Sequence, residues 1–504
     1  MRKWGPLIAV CLGTFMLLLD VTVVTVALPD MATALDASLT DLQWVIDIYA
    51  LVLAALLLGA GAAADVLGPR RMYVVGTVLF AAASLGCGLA TGPASLIAMR
   101  GAQGLGAAAM FATALSLLGA EYEGRDRSFA LGVWGAVSGA AAALGPVVGG
   151  VLTQGLDWRW IYLVNLPVSV AAIWLTLRVV RPSKPQTGRR IDWAGTAAFA
   201  LFTGAATFGV VRAGVAGWAS ATTAATFGVA AVALAAFIAV ERRVAQPLID
   251  LSLFAQPPFL AVIAAGVAYN ATAFGVLPYT QIWLQTVQGM SPMQGGLAVL
   301  PLPATAFVVS AVAGRLLHGT PHRLVIGIGL LLIGGGTLGQ AVLTPGSGWT
   351  ALVAGLTVAG VGVGLVSPGL GGAALASVPL RNAGMAGGAV NAFRQLGYAF
   401  GVAGFGTIVA ARMASSLREA EVAAPAEAAH TLAGGGAGAL RPSVTDEVVH
   451  TAFASGLNFA AAVAGVLGLL AGLAVLRWLR PAARPAAQVG SSSPVALEHH
   501  VERP

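Results

Sequence analysis

Charge is scarce in this 504-residue chain, where Asp, Glu, Lys and Arg together make up 9%. A soluble domain carries about 25%. That deficit excludes water as the main solvent of the folded chain. Cysteine is almost missing. Cys11 and Cys87 both lie in apolar runs, which excludes a disulfide framework and a cysteine metal site. No Walker lysine accompanies the glycine-rich stretches "GLGAAA" and "GVGVG", and no strand precedes them, so ATP is not expected as fuel. No Ser-His-Asp or Cys-His arrangement can be assembled. Neither an enzyme, a cofactor nor a metal is expected. His318 and His322 are four apart, but Gly319 and Pro321 break any helix between them.

Apolar residues are abundant: 58% of the chain, with a mean hydropathy of +0.85. A bilayer core about 30 Å thick needs ~20 apolar residues of helix. Such runs occur near 7–28, 43–64, 73–91, 95–117, 129–152, 160–179, 192–211, 218–240, 259–285, 293–316, 323–343, 350–371, 384–410 and 454–478. The expected fold is an all-α integral membrane protein with fourteen transmembrane helices. Met1-Arg2-Lys3 imitates a signal peptide, but the run behind it is longer than a signal core and reads as a retained first span.

The net charge is +7. The basic residues sit between apolar runs rather than on one patch, so they read as topology signals and not as a nucleic-acid surface. With the N-terminus inside, twenty of the 27 Lys and Arg fall on the inner side, five outside, and Arg100 and Arg394 within spans. That bias places both termini in the cytoplasm. Three stretches read as soluble. Residues 180–191 form a basic inner loop, 413–453 the longest outer segment, and 481–504 a tail expected to be disordered.

Four charged residues lie where lipid should be: Asp20, Asp47, Arg100 and Arg394. Each costs roughly 2.5–3.5 kcal/mol at a span centre. At 1.5 Å per residue, Asp20 lies ~12 Å from the outer end of its span, and Arg394 ~15 Å from the inner face. A dry surrounding favours the protonated form of a carboxyl, and a nearby arginine favours the ionised form. An acid exposed to these conditions in turn can carry a proton across. A fixed structural ion pair is the alternative. Arg100 and Gln103 are three apart on one helix face. Gly135/Gly139 and Gly145/Gly149 have the spacing that lets helices approach closely, and Pro146 removes a backbone donor.

"LLLDVTVVTVALP" and "LQWVIDIYALVLAALLL" resemble the start of the 14-span drug:proton antiporters of the major facilitator superfamily. "GAAADVLGPRRM", residues 61–72, resembles that family's loop signature Gly-x-x-x-Asp-x-x-Gly-Arg-Arg, with Pro69 where a basic or small residue is more usual. "MRGAQGLGAAAM" (99–110), "GAAAALGPVVGGVL" (139–152), "DWRWIYLVNLPV" (157–168) and "NAFRQLGYAFG" (391–401) also fit. The resemblance implies an N-terminal six-helix half over 1–180, a linker and inserted two-helix hairpin over 181–257, a C-terminal six-helix half over 258–480, and the tail 481–504. It implies proton coupling at Asp20, Asp47 and Arg100. It implies an inner gate at Gly61, Asp65, Gly68, Arg70 and Arg71. Gly145, Pro146, Gly149 and Gly150 match the antiporter helix that marks exporters. Substrate-cavity candidates are Gln103, Tyr269, Asn270, Gln281, Arg394 and Gln395, although Tyr and Trp also anchor at membrane interfaces. Unlike some multidrug members, spans 9–14 contain no Asp or Glu.

The expected function is proton-coupled export of an amphiphilic drug or antibiotic from a bacterial cell. The expected partners are that small molecule, protons and the lipid bilayer, with no nucleic acid, and the protein is expected to be a monomer. An Ala/Gly/Arg-rich, Lys-poor composition suggests a high-GC bacterium and self-resistance. A metabolite or nutrient carrier on the same fold is the alternative.

Overall fold

The computed structural model describes residues 3–37, 39–182, 192–245, 247–317, 319–376, 378, 383–433, 436–440 and 444–479. Every regular element among them is helical. The chain runs α1 Gly5–Leu35, α2 Leu39–Leu67, α3 Pro69–Gly88, α4 Pro93–Glu121, α5 Gly124–Gly155, α6 Trp160–Leu163, α7 Asn165–Val179, α8 Trp193–Ala216 and α9 Ala221–Glu241. It continues through α10 Pro257–Phe274, α11 Leu277–Ile282, α12 Pro292–Val299, α13 Pro301–Leu316, α14 His322–Leu338, α15 Val353–Ala376 and α16 Ala383–Glu419. α17 Pro425–Ala433, α18 Ala437–Leu440 and α19 Asp446–Trp478 complete it.

Eleven helical segments are long and apolar enough to cross a membrane, or twelve if α12 and α13 are counted as one bent span. The bend between those two is 46°. It falls at Leu300–Pro301, where the proline ring forbids a continuous hydrogen-bond ladder. α14 is apolar but only 17 residues long. α5, at 32 residues, packs against both α1 and α13.

The helices fall into two packed groups. α1 lies against α5 and α7, and α4 against α2 and α3. In the later part α14 lies against α15 and α19, α13 against α15, and α16 against α10 and α19. α5 meets α13 and α15, and α2 meets α16, so these helices form the seam. α8 packs on both α2 and α16, with Trp44 stacked on Phe208 at 5.7 Å, while α9 touches mainly α8.

Glycine brings several pairs to backbone contact. A Cβ on Gly106 of α4 would lie 2.6 Å from the Phe80 nitrogen and 2.8 Å from the Gly76 oxygen of α3. With no strong hydrophobic drive between helices in lipid, close van der Waals approach is what holds such a pair.

One expectation is corrected. The outer stretch 413–453 is not a soluble linker throughout. α16 runs to Glu419, and Met413 and Leu417, one turn apart, are fully buried against Leu432 and Val449 in a common apolar cluster. The Ala-rich composition hid a helical repeat that buries one face. The tail 481–504 and most of the loop 180–191 lie outside the described residues.

Gly106→Ala is expected to destabilise the protein by about 1–3 kcal/mol through overpacking. Gly335→Ala, where nothing lies within 4 Å, should change little. Thermal unfolding of both variants in detergent checks the contrast.

Candidate functional site

Asp20 sits on α1 with no solvent exposure, α4 and α7 reach it, and α2 and α3 hold the groups that do. Arg100 Nη1 from α4 forms an ion pair with Asp20 Oδ2. Gln103 Nε2, one turn further along α4, donates to Asp20 Oδ1 at 3.0 Å. Asn165 Nδ2, the first residue of α7, donates to the same oxygen at 2.9 Å. Ser84 Oγ on α3 accepts from both amides, at 2.7 Å from Gln103 and 3.2 Å from Asn165. The guanidinium is held on its other edges too. Its Nη1 donates to Gln103 Oε1 at 2.6 Å, and its Nε to the Val45 carbonyl of α2 at 3.0 Å. The Tyr49 ring lies 4.3 Å from it and the Tyr162 ring 5.8 Å, a pair of cation–π contacts.

Every partner of the Asp20 oxygens is a donor. A carboxylate offers only acceptors, so these N–H donors suit it. Besides the acid, the guanidinium has Gln103 Oε1, the Val45 carbonyl and two aromatic faces.

The antiporter-like helix is next to this acid. A Cβ on Gly145 would overlap Thr22 and come 3.0 Å from the Val23 nitrogen, so α5 crosses α1 within one turn of Asp20. Gly149 and Gly150 are buried further along α5, with Met293 of α12 4.0 Å from a Cβ built on Gly150. The residue Pro146 is in α5, Asp47 in α2 and Asp65 in α2, but their side chains lie outside the described set.

At the end of α2, Gly68 adopts φ 90°, a conformation glycine takes without strain, and Pro69 opens α3 at a position that needs no N–H. That accounts for the proline departure in the loop signature. Arg70 Nη2 donates to the Leu177 carbonyl at 2.7 Å, in the last turn of α7, while Arg71 is exposed. Gly61 lies at the seam, its Cα 3.5 Å from a Cβ built on Gly388 of α16.

The cavity candidates do not form one group. Gln103 belongs to the Asp20 cluster. Tyr269 and Arg394 meet in the second group, the guanidinium 5.1 Å from the ring centre. Asn270 is buried on α10 with Oδ1 unpartnered. Gln281 donates to the Gly295 carbonyl at 3.2 Å, at the α11–α12 contact. Gln395 is half-buried beside Arg394. Ser84, Tyr49, Tyr162 and Asn165 belong to the site and were not singled out from sequence. Asn165 carried a signal: it is a lone amide in the apolar stretch "IYLVNLPVSV".

A multi-pass apolar helix bundle with a buried ion pair at its centre has the organisation of a membrane carrier. The profile described as Major Facilitator Superfamily matches residues 10–402. The multidrug resistance protein Stp of Mycobacterium tuberculosis is 36% identical over 82% of this chain and 76% of its own length. The tetracenomycin C resistance and export protein of Streptomyces glaucescens is 31% identical over 94% of this chain and 91% of its own. The structure of the proton:xylose symporter XylE superposes with a TM-score of 0.62 over 95% of this chain and 96% of that one, at 14% identity, which speaks for the fold alone. The chain belongs to the major facilitator superfamily. It is a multi-pass plasma-membrane transporter and not an enzyme, and its curated relatives are named as drug and antibiotic efflux and resistance proteins.

Removing one partner of a buried ion pair costs about 3–5 kcal/mol, because the other charge is stranded. Arg100→Gln is therefore expected to lower the unfolding temperature sharply, and Asp20→Asn/Arg100→Gln to recover much of the loss. Unfolding curves of the single and double variants in the same detergent check this.

Proposed function

We propose that this transporter exports an amphiphilic drug or antibiotic in exchange for protons, with Asp20 as the proton carrier and Arg100 as the group that tunes it. The observation that carries the reading is the fully buried Asp20, whose oxygens meet only donors, from α4 and α7. The efflux and resistance names of the relatives support the direction of transport. In this reading the helices make fourteen spans, with α12–α13 as one bent span, α14 as a short one and α6–α7 as one. The termini are cytoplasmic. α8 and α9 are the inserted hairpin between two six-helix halves, and the carrier works as a monomer. Self-resistance of an antibiotic-producing host is its setting.

The cycle follows from the two settings of the acid. Ionised Asp20 draws Arg100, Gln103 and Asn165 together, and α1, α4 and α7 with them. Protonation removes the charge that holds them, and the helices separate. At a driving force of roughly 150 mV, one proton supplies ~3.5 kcal/mol. That sustains a concentration ratio of a few hundredfold, enough to protect a cell.

Everted vesicles energised by respiration provide the test, with a panel of fluorescent amphiphiles. Wild-type vesicles are expected to accumulate at least one compound, and collapse of the proton gradient should abolish this. Asp20→Asn should lower uphill accumulation at least tenfold while the protein still binds the compound. Uphill accumulation that survives both the substitution and the collapser overturns the reading.

A further inference from the structure

Among the described residues each helix group holds one buried arginine, and only one of the two has a carboxylate beside it. Arg100 has a tyrosine face at 4.3 Å, an amide three residues away in Gln103, and a carboxylate in Asp20. Arg394 has a tyrosine face at 5.1 Å in Tyr269 and an amide three residues away in Asn391, whose Oδ1 accepts from Nη1 at 3.4 Å. It lacks the carboxylate. No acid occurs between Asp250 and Glu419, so α10 to α15 have none to offer. Among the described residues no ion pair includes Arg394.

The side chain is nonetheless deep in the bundle, 9% exposed, and Asn391 is fully buried. Two donors on this one face of α16 are left without partners: Arg394 Nε and Asn391 Nδ2. Gly266 of α10 leaves space for the stem, since a Cβ there would come 3.1 Å from Arg394 Cγ. Buried donors and an unneutralised guanidinium are costly unless something supplies acceptors and negative charge. A guanidinium edge is shaped for the two oxygens of a carboxylate.

We infer that Arg394, with Asn391 and Tyr269, binds the acidic group of the cargo, and that the cargo is an amphiphilic organic acid carrying a carboxylate on an apolar body. The inference rests on the export reading above and names the substrate class for it. The ligand's carboxylate takes the place that Asp20 holds beside Arg100. One consequence concerns charge. A proton entering and a monoanion leaving both carry positive charge inward, so each exchange moves two charges, whereas exchange for a monocation moves none.

The test uses the full-length protein in lipid nanodiscs, with binding read by energy transfer from tryptophan to pyrene. The probes are 1-pyrenebutyrate, its neutral amide, and 1-pyrenebutylamine. Wild type is expected to bind the acid at least tenfold more tightly than the amide or the amine. Arg394→Gln should bring the acid to the affinity of the amide, with amide binding unchanged. Arg394→Lys, which keeps the charge and loses the planar fork, should weaken acid binding at least threefold and still favour it over the amide. If Arg394→Gln does not fold, the lysine variant carries the test, and unchanged acid affinity there overturns the inference. Equal affinity of wild type for acid and amide overturns it too, as does an acid preference that survives in Arg394→Gln. The vesicle assay separates the two readings. Proton-driven accumulation of amines or neutral compounds without acid preference leaves export standing and overturns the anion site. Absence of proton-driven movement across the whole panel fails both.

Discussion

A carboxylate stays ionised inside an apolar bundle only when donors satisfy its oxygens and a cation balances its charge. The folding of the first helix group is organised around that requirement. Asp20 is on α1, but the groups that satisfy it come from α4 and α7, Ser84 of α3 holds both amides, and α2 supports the arginine from behind. No one of these helices can be placed independently. A shift of α7 moves Asn165 off the acid, and a shift of α4 moves both Arg100 and Gln103. The polar cluster thus sets the register of helices that lipid alone would let slide, because apolar packing is tolerant of translation and hydrogen bonds are not.

Packing supplies the complementary constraint. Gly106 against Gly76, and Gly145 against Thr22 and Val23, bring backbones close enough for the short side chains at the centre to reach one another. Asparagine and serine are short donors and acceptors. Had a larger residue at Gly106 or Gly76 held α3 and α4 apart, Ser84 would not reach Gln103. The glycines and the polar ring are therefore one design expressed in two chemistries, and the tyrosines at 49 and 162 fill what remains around the guanidinium.

Much of this was legible in the sequence because a charge in an apolar run stands out. Asp20 and Arg100 were singled out for that reason, and the structure brings them together. Gln103 was also visible, from its spacing to Arg100. Ser84 was not, since a neutral polar residue in a membrane segment is common and nothing in a linear pattern says which way it faces; Asn165 stood out only as a lone amide, with nothing to say what it meets. The helical runs were legible from hydropathy. Where they break was less so: Pro301 marks a bend inside one run, and the Ala-rich stretch after α16 conceals buried Met413 and Leu417. The division of the cavity candidates between two places could not be read at all, because it depends on how helices distant in sequence are packed.

The contact between Gly61 of α2 and Gly388 of α16 has its own consequence. Main chain meets main chain there, with no side chains to interlock. Such a joint has no teeth. It can glide at that point without stepping past an interlocked side chain. The seam is therefore smooth at that contact, and whatever fixes α2 against α16 has to be supplied by groups elsewhere along the two helices.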